Sequence, residues 1–259
     1  DSFKLVQVPY LGMEHQSSVT YGNQWKKGYL GKDLSGTGWG LKFDFLLIHE
    51  SGHEWFANNI TYKDIADMWI HEGFTSYSEN LFLDYHVGTK ASEEYVIGLR
   101  QNIVNDIPII GPYNVNQEGS KDMYYKGSNM LHTIRQLVND DEQWRQILRG
   151  LNKDFYHQTV TTAQIENYII DKSDIELQPV FDQYLRSPRI PLFEYQMDGQ
   201  KLKYRYTNVI EGFDMPLRVF INEKNVWLNP TDKWQTVSEY SSSDTFEVDK
   251  NFYVDVKKL

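Results

Sequence analysis

The chain of 259 residues has no cysteine. That excludes disulfides, thiolate metal ligands and a cysteine nucleophile. It does not fix the compartment, because a secreted protein of this size needs no disulfide. No apolar run approaches the roughly 20 residues that cross a bilayer as a helix, so no membrane segment is expected. Positive charge is also scarce: 26 Lys and Arg stand against 36 Asp and Glu, for a net charge of −10. A nucleic-acid partner calls for a basic surface, so none is expected, and an anionic membrane surface is disfavoured on the same ground. There is no signal peptide and no initiating methionine. The chain starts at Asp1 and reads as an excised piece or a processed product, which leaves its localisation open.

Aromatic residues are abundant, with 18 Tyr, 13 Phe and 7 Trp, and 24% of residues are charged. This composition is globular, and the length suits one large domain or two ordinary ones. Two periodicities divide the chain. From about residue 40 to 187 apolar residues recur at helical spacing. A first helix should hold His49 and His53 and end at Asn58-Asn59. A second should begin near Asp64 or Asp67 and stop before Gly88. Others are expected at about 91–105, 124–138, 140–149, 162–171 and 176–185. Thr161 to Gln164 has a capping-box pattern, Asp140 to Gln143 a looser one, and Gly150 suits a helix stop. After residue 187 the period becomes two. Residues 202–206 alternate cleanly; 217–221, 226–228, 245–248 and 252–256 do so less cleanly. Gly199, Gly212, Asn229-Pro230 and Ser241-Ser242-Ser243 punctuate them. The first 40 residues read as short strands and loops. The fold class is α+β, with residues 1–187 mainly helical after a small N-terminal sheet and residues 188–259 a small antiparallel β-sandwich.

The densest chemistry is His49-Glu50-Ser51-Gly52-His53, followed after eighteen residues by Glu72 in Trp69-Ile70-His71-Glu72-Gly73-Phe74. On a helix His49 and His53 share a face, so both imidazoles can point at one Zn²⁺, with Glu50 about one hundred degrees round and within reach of a water on the metal. Glu72 would complete the ligands from a second helix. Three protein ligands with an open position make a catalytic zinc site, whereas a structural one uses four. The apolar flanks Phe45 to Ile48 and Trp55 to Ala57 suit a buried helix, where two unpartnered histidines would be costly.

H-E-x-x-H, eighteen residues and the glutamate of W-I-H-E-G-F resemble the M1 family of zinc aminopeptidases, whose catalytic domain is thermolysin-like (a gluzincin). Leu11-Gly12-Met13-Glu14-His15 is similar to that family's G-x-M-E-N exopeptidase motif, and Tyr124-Tyr125-Lys126-Gly127 to its Y-x-K-G segment. The resemblance covers about residues 8–187, and the tail resembles the β-sandwich that follows the family's catalytic domain. It implies one zinc ion on His49, His53 and Glu72, with Glu50 as general base and Tyr124 as the phenol that stabilises the tetrahedral intermediate. Only the alignment selects Tyr124 over Tyr125. It also implies that Glu14 binds the substrate's free α-amine, and that Gly12 and Met13 line an edge strand where the substrate backbone lies. The expected partner is a peptide with a free N-terminus. The family's N-terminal β-domain is missing from this sequence, and would be a further partner.

The family has asparagine where this chain has His15 and His71. His71 is expected to replace the amide as a hydrogen-bonding group. Glu79, seven residues after Glu72, either orients His53 or continues a polar stripe. Two functional readings stand: a zinc-dependent aminopeptidase, and a catalytically weak peptide-binding or scaffold fragment that retains zinc. Intact Glu50 and Tyr124 favour the first, since a binding module needs no base beside the metal.

Overall fold

The computed structural model describes residues 3–238, 240 and 243–259. Three short strands open the chain: β1 (Leu5–Gln7), β2 (Gly12–Met13) and β3 (Val19–Tyr21), in the order β1-β3-β2. The helical part follows: α1 (Phe45–Gly52), α2 (Trp69–His86), α3 (Thr89–Gly98), α4 (Tyr125–Val138), α5 (Asp141–Asp154), α6 (Thr162–Ser173) and α7 (Gln178–Leu185). Among the described residues no helix is long and apolar enough to cross a membrane.

Side-chain caps account for three of these seven helix starts. Asp44 caps α1, its carboxylate accepting from Leu47 N. Asp140 caps α5 by accepting from Glu142 N and Gln143 N. Thr161 and Gln164 form the reciprocal capping box at α6. Two expected ends moved. The first helix stops at Gly52, well before Asn58-Asn59, as the next amides of Glu54 and Trp55 tighten onto Ser51 and Gly52. Nor does Gly150 stop a helix, because α5 runs on to Asp154. A Cβ at Gly150 would lie 2.2 Å from the Tyr168 hydroxyl, so glycine serves the close approach of α5 and α6.

A parallel pair unforeseen in the sequence, β4 (Ile60–Tyr62) and β5 (Gln158–Val160), ties the segment after α1 to the entry of α6. The C-terminal part comprises β6 (Leu192–Asp198), β7 (Lys201–Thr207), β8 (Leu217–Ile221), β9 (Lys224–Leu228), β10 (Gln235–Val237), β11 (Phe246–Val248) and β12 (Asp255–Lys258). They form two sheets, β10-β7-β6-β12 and β11-β8-β9. Every pairing is antiparallel except β12 beside β6, which is parallel. Leu202, Tyr204 and Tyr206 of β7 and Leu217, Val219 and Ile221 of β8 are the buried members of their alternations. Phe246 of β11 packs on Phe193 and Tyr195 of β6, joining the sheets. Ser241 and Ser242, expected in a turn, lie outside the described residues.

One apolar core runs from Trp69 and Phe74 of α2 through Met130 and Ile134 of α4 and Phe181 of α7 into Phe193 and Tyr206 of the sheets. Its centre matters for function. Gly73 of α2 and Gly127 of α4 meet backbone to backbone: a Cβ on Gly127 would lie 3.1 Å from the Gly73 Cα. These glycines follow Glu72 and Tyr124 by one and three residues, so the contact brings the two side chains to one place.

Candidate metal centre and its cleft

The helix carrying the H-E-x-x-H run is fixed at both ends. At its start Asp44 accepts from the Tyr21 hydroxyl of β3 and, at 2.8 Å, from Asn23 Nδ2. This fastens α1 to the sheet that bears Gly12 to Glu14. At its end Gly52 meets α2, where a Cβ would come 3.1 Å from Thr75 and 3.2 Å from Ser78. His53 follows the last helical residue but keeps right-handed helical angles (φ −64°, ψ −16°), which preserves its one-turn spacing from His49.

His49, His53 and Glu72 therefore converge, with ligand atoms all within 4.8 Å of one another. Both imidazole Nε2 atoms face Glu72 Oε2, His49 at 3.4 Å and His53 at 3.5 Å. Each Nδ1 is engaged elsewhere: His49 with Glu79 Oε1 at 2.9 Å, His53 with the Phe56 carbonyl at 3.0 Å and the Thr75 hydroxyl at 3.0 Å. Glu72 Oε2 is buried and accepts no hydrogen bond. An unsatisfied buried carboxylate oxygen facing two imidazole nitrogens is a costly arrangement unless a cation joins them. Two nitrogens and one oxygen are a donor set that fits zinc. Glu79 thus contacts His49 and not His53, correcting one of the two roles expected for it: His53 is instead held by a main-chain carbonyl, because the chain turns back after Gly52.

The electrostatics follow from burial and proximity. Burial pushes the His49 imidazolium down, but Glu72 and Glu79 more than offset this and raise it to about 10. A metal would displace that proton. Glu72, despite burial, is held well below the carboxylate range by the two histidines. Glu50 is pushed up to about 7 by burial, against the pull of both histidines. Its Oε2 is also buried without a partner. His71 accepts from Tyr62 N at 3.0 Å, and burial and His53 push it down to about 3. It is thus a neutral hydrogen-bond acceptor, in keeping with the amide-like role expected of it.

The eight residues given a metal, catalytic or substrate role by the resemblance line one cleft of about 390 Å³: Gly12, Met13, Glu14, His49, Glu50, His53, Glu72 and Tyr124. Gly12 and Met13 form β2, an edge strand paired, among the described residues, only with β3. Gly12 has a packing reason to be glycine, since its Cβ would fall 2.8 Å from both Leu46 of α1 and the Thr20 carbonyl. Glu14 follows β2, and its carboxylate, that of Glu50 and a ring nitrogen of His53 lie within 4.8 Å of one another. Both tyrosines line the cleft. Burial and then Glu72 raise the Tyr124 hydroxyl well above its ordinary value, so it lies on the Glu72 side. Burial and then Glu79 raise the Tyr125 hydroxyl well above its ordinary value, and its ring packs with the cluster of Tyr21, Phe43 and Phe45. His15 is exposed and outside the cleft. Phe56, Thr75 and Tyr95, which support the histidines or Glu79, had no recognisable signal in the sequence.

Residues 4–184 match the Peptidase family M1 domain. The chain belongs to peptidase family M1. The leucyl aminopeptidase of Saccharolobus solfataricus is 22% identical over 245 residues, covering 86% of this M1 chain and 30% of that protein. Aminopeptidase N of Lactobacillus helveticus is 24% identical over 198 residues, covering 70% of the chain and 22% of its own length. Among solved structures, Legionella pneumophila aminopeptidase A in complex with aspartic acid superposes with a TM-score of 0.70 at 13% identity, over 98% of the chain and 31% of that structure. The M1 chain thus spans about 30% of the length of the first of these relatives.

Proposed function

We propose that the chain is the catalytic part of a zinc-dependent aminopeptidase, with residues 1–187 as the peptidase portion and 188–259 as a β-sandwich beside it. One observation carries the exopeptidase reading: Glu14 lies within 4.8 Å of Glu50 and His53. The amine nitrogen and carbonyl carbon of one residue are about 2.5 Å apart. An ammonium paired with Glu14 would therefore present the first peptide bond, and no later one, to the metal centre.

His49, His53 and Glu72 would hold the ion. Zinc bound there supplies Lewis acidity, polarising the scissile carbonyl and making water easier to deprotonate. Glu50, next to the ligands, takes the proton of the attacking water and passes it to the leaving amine; its burial favours proton uptake. The Tyr124 hydroxyl, kept protonated by burial and Glu72, donates to the oxyanion as it forms. Glu14 holds the substrate ammonium and so counts one residue from the N-terminus. The free edge of β2, opposite β3, would receive the extended peptide as an added strand.

The test is cleavage of one dipeptide amide with a free and with an acetylated N-terminus, alongside zinc analysis. A charged contact is worth about 1.5–3 kcal/mol, so acetylation should lower kcat/KM at least tenfold. Glu14→Gln should erase most of that difference while keeping zinc. Equal cleavage of both peptides by the wild type would refute the aminopeptidase reading.

A further inference from the structure

The two metal-facing histidines are supported unequally. Glu79 is fully buried on α2, and each of its oxygens has a single partner: Oε1 faces His49 Nδ1 at 2.9 Å, and Oε2 accepts from the Tyr95 hydroxyl of α3 at 2.5 Å. A carboxylate only accepts, so Nδ1 of His49 is the donor, and once a metal displaces the second proton the ring's lone pair lies on Nε2, the atom facing Glu72. Tyr95 is 1% exposed and stands edge-on to Phe43, with centroids 5.6 Å apart, so its hydroxyl has little freedom to leave Glu79. His53 has no carboxylate behind it. Its Nδ1 meets a neutral carbonyl and a hydroxyl, Phe56 O and Thr75 Oγ1, each at 3.0 Å.

We propose that Tyr95 and Glu79 are positioning residues that make His49 the anchoring metal ligand and leave His53 the exchangeable one. This rests on the zinc reading of the centre. A carboxylate behind an imidazole fixes the ring and strengthens its other nitrogen as a donor, more than a neutral carbonyl does. Tyr95 acts one step further out. By occupying Oε2 it keeps Oε1 directed at His49, and it draws a third helix, α3, into support of a centre built on α1 and α2.

The experiment measures zinc affinity of the full chain by competition with a chromogenic chelator, and zinc release after excess chelator, with no substrate present. Glu79→Gln keeps shape and one acceptor but removes the charge; it should weaken zinc by roughly 10–100-fold. Tyr95→Phe should weaken it about fivefold, the worth of one ordinary hydrogen bond. Adding Tyr95→Phe to Glu79→Gln should cost much less than it does alone, because the tyrosine works through the carboxylate. Thr75→Val, on the His53 side, should stay within about twofold of wild type. A purely structural tyrosine would lower the melting temperature and leave zinc affinity unmoved, and that result would overturn the assignment. So would equal losses in Glu79→Gln and Thr75→Val. A wild-type chain that takes up no zinc would overturn the metal reading itself, and this inference with it.

Discussion

Replacing Lys126 by methionine should stabilise the protein at neutral pH and remove part of its pH dependence. Lys126 belongs to the Tyr124-Tyr125-Lys126-Gly127 segment, yet it faces the core: its side chain is fully buried and Nζ donates to the Ser187 carbonyl at 2.9 Å. Burial pushes the ammonium from 10.5 down to about 8, against the pull of Asp122 and Asp106. The unfolded chain keeps this proton up to about 10.5 and the folded chain releases it near 8, so the unfolded state binds more protons between those values and stability rises with pH there. At pH 7 both states are charged and nearly the whole penalty, about 3 kcal/mol, weighs against the fold. At pH 9.5 only about 1 kcal/mol remains. Methionine fills similar volume and carries no charge, but it leaves the Ser187 carbonyl without its donor, at a cost of about 1 kcal/mol. The variant should therefore exceed wild type by about 2 kcal/mol at pH 7 and roughly match it at pH 9.5. Urea unfolding followed by tryptophan fluorescence at both pH values measures this, and comparing the two proteins cancels every other titrating group. Parallel pH profiles, or a variant less stable than wild type at pH 7, would refute the reasoning.

Two predictions concern the proposed chemistry. Glu50→Gln should retain zinc, since Glu50 is not a ligand, and lose about a hundredfold or more in kcat; zinc analysis and steady-state kinetics check both halves, and a variant without metal would make Glu50 a ligand. Tyr124→Phe should lower kcat more than it raises KM, because a donor to the oxyanion acts in the transition state. Unchanged kcat there, beside a crippled Tyr125→Phe, would move the role to the other tyrosine.

What could be read from the sequence was local. The one-turn spacing of His49 and His53, the Thr161 box and the alternation of residues 202–206 each depend on a few neighbouring residues, and each appears in the fold. The partner of Glu79 depends on how α1 crosses α2, thirty residues apart in sequence, and nothing in a helical pattern states that crossing. Tyr95 sits on a third helix and looks like any core aromatic. Strand β6 went unseen because Phe193, Glu194 and Tyr195 are buried in succession, Glu194 pairing with Arg205, so the period-two signal is lost. Alternation is also blind to direction, so the parallel β12 beside β6 could not be distinguished from an antiparallel strand.

The meeting of Gly73 and Gly127 bears on thermal motion. Contacts made through side chains carry rotamer freedom, and the groups they position inherit it. Here two helix backbones touch with no side chain between them. The backbone positions that carry Glu72 and Tyr124 then shift relative to one another only as far as the two helices can slide, and that spread is small in a close-packed interior. A metal ligand and a hydrogen-bond donor so coupled would have little disorder to lose when a substrate arrives, and the entropy of aligning them is already spent in folding.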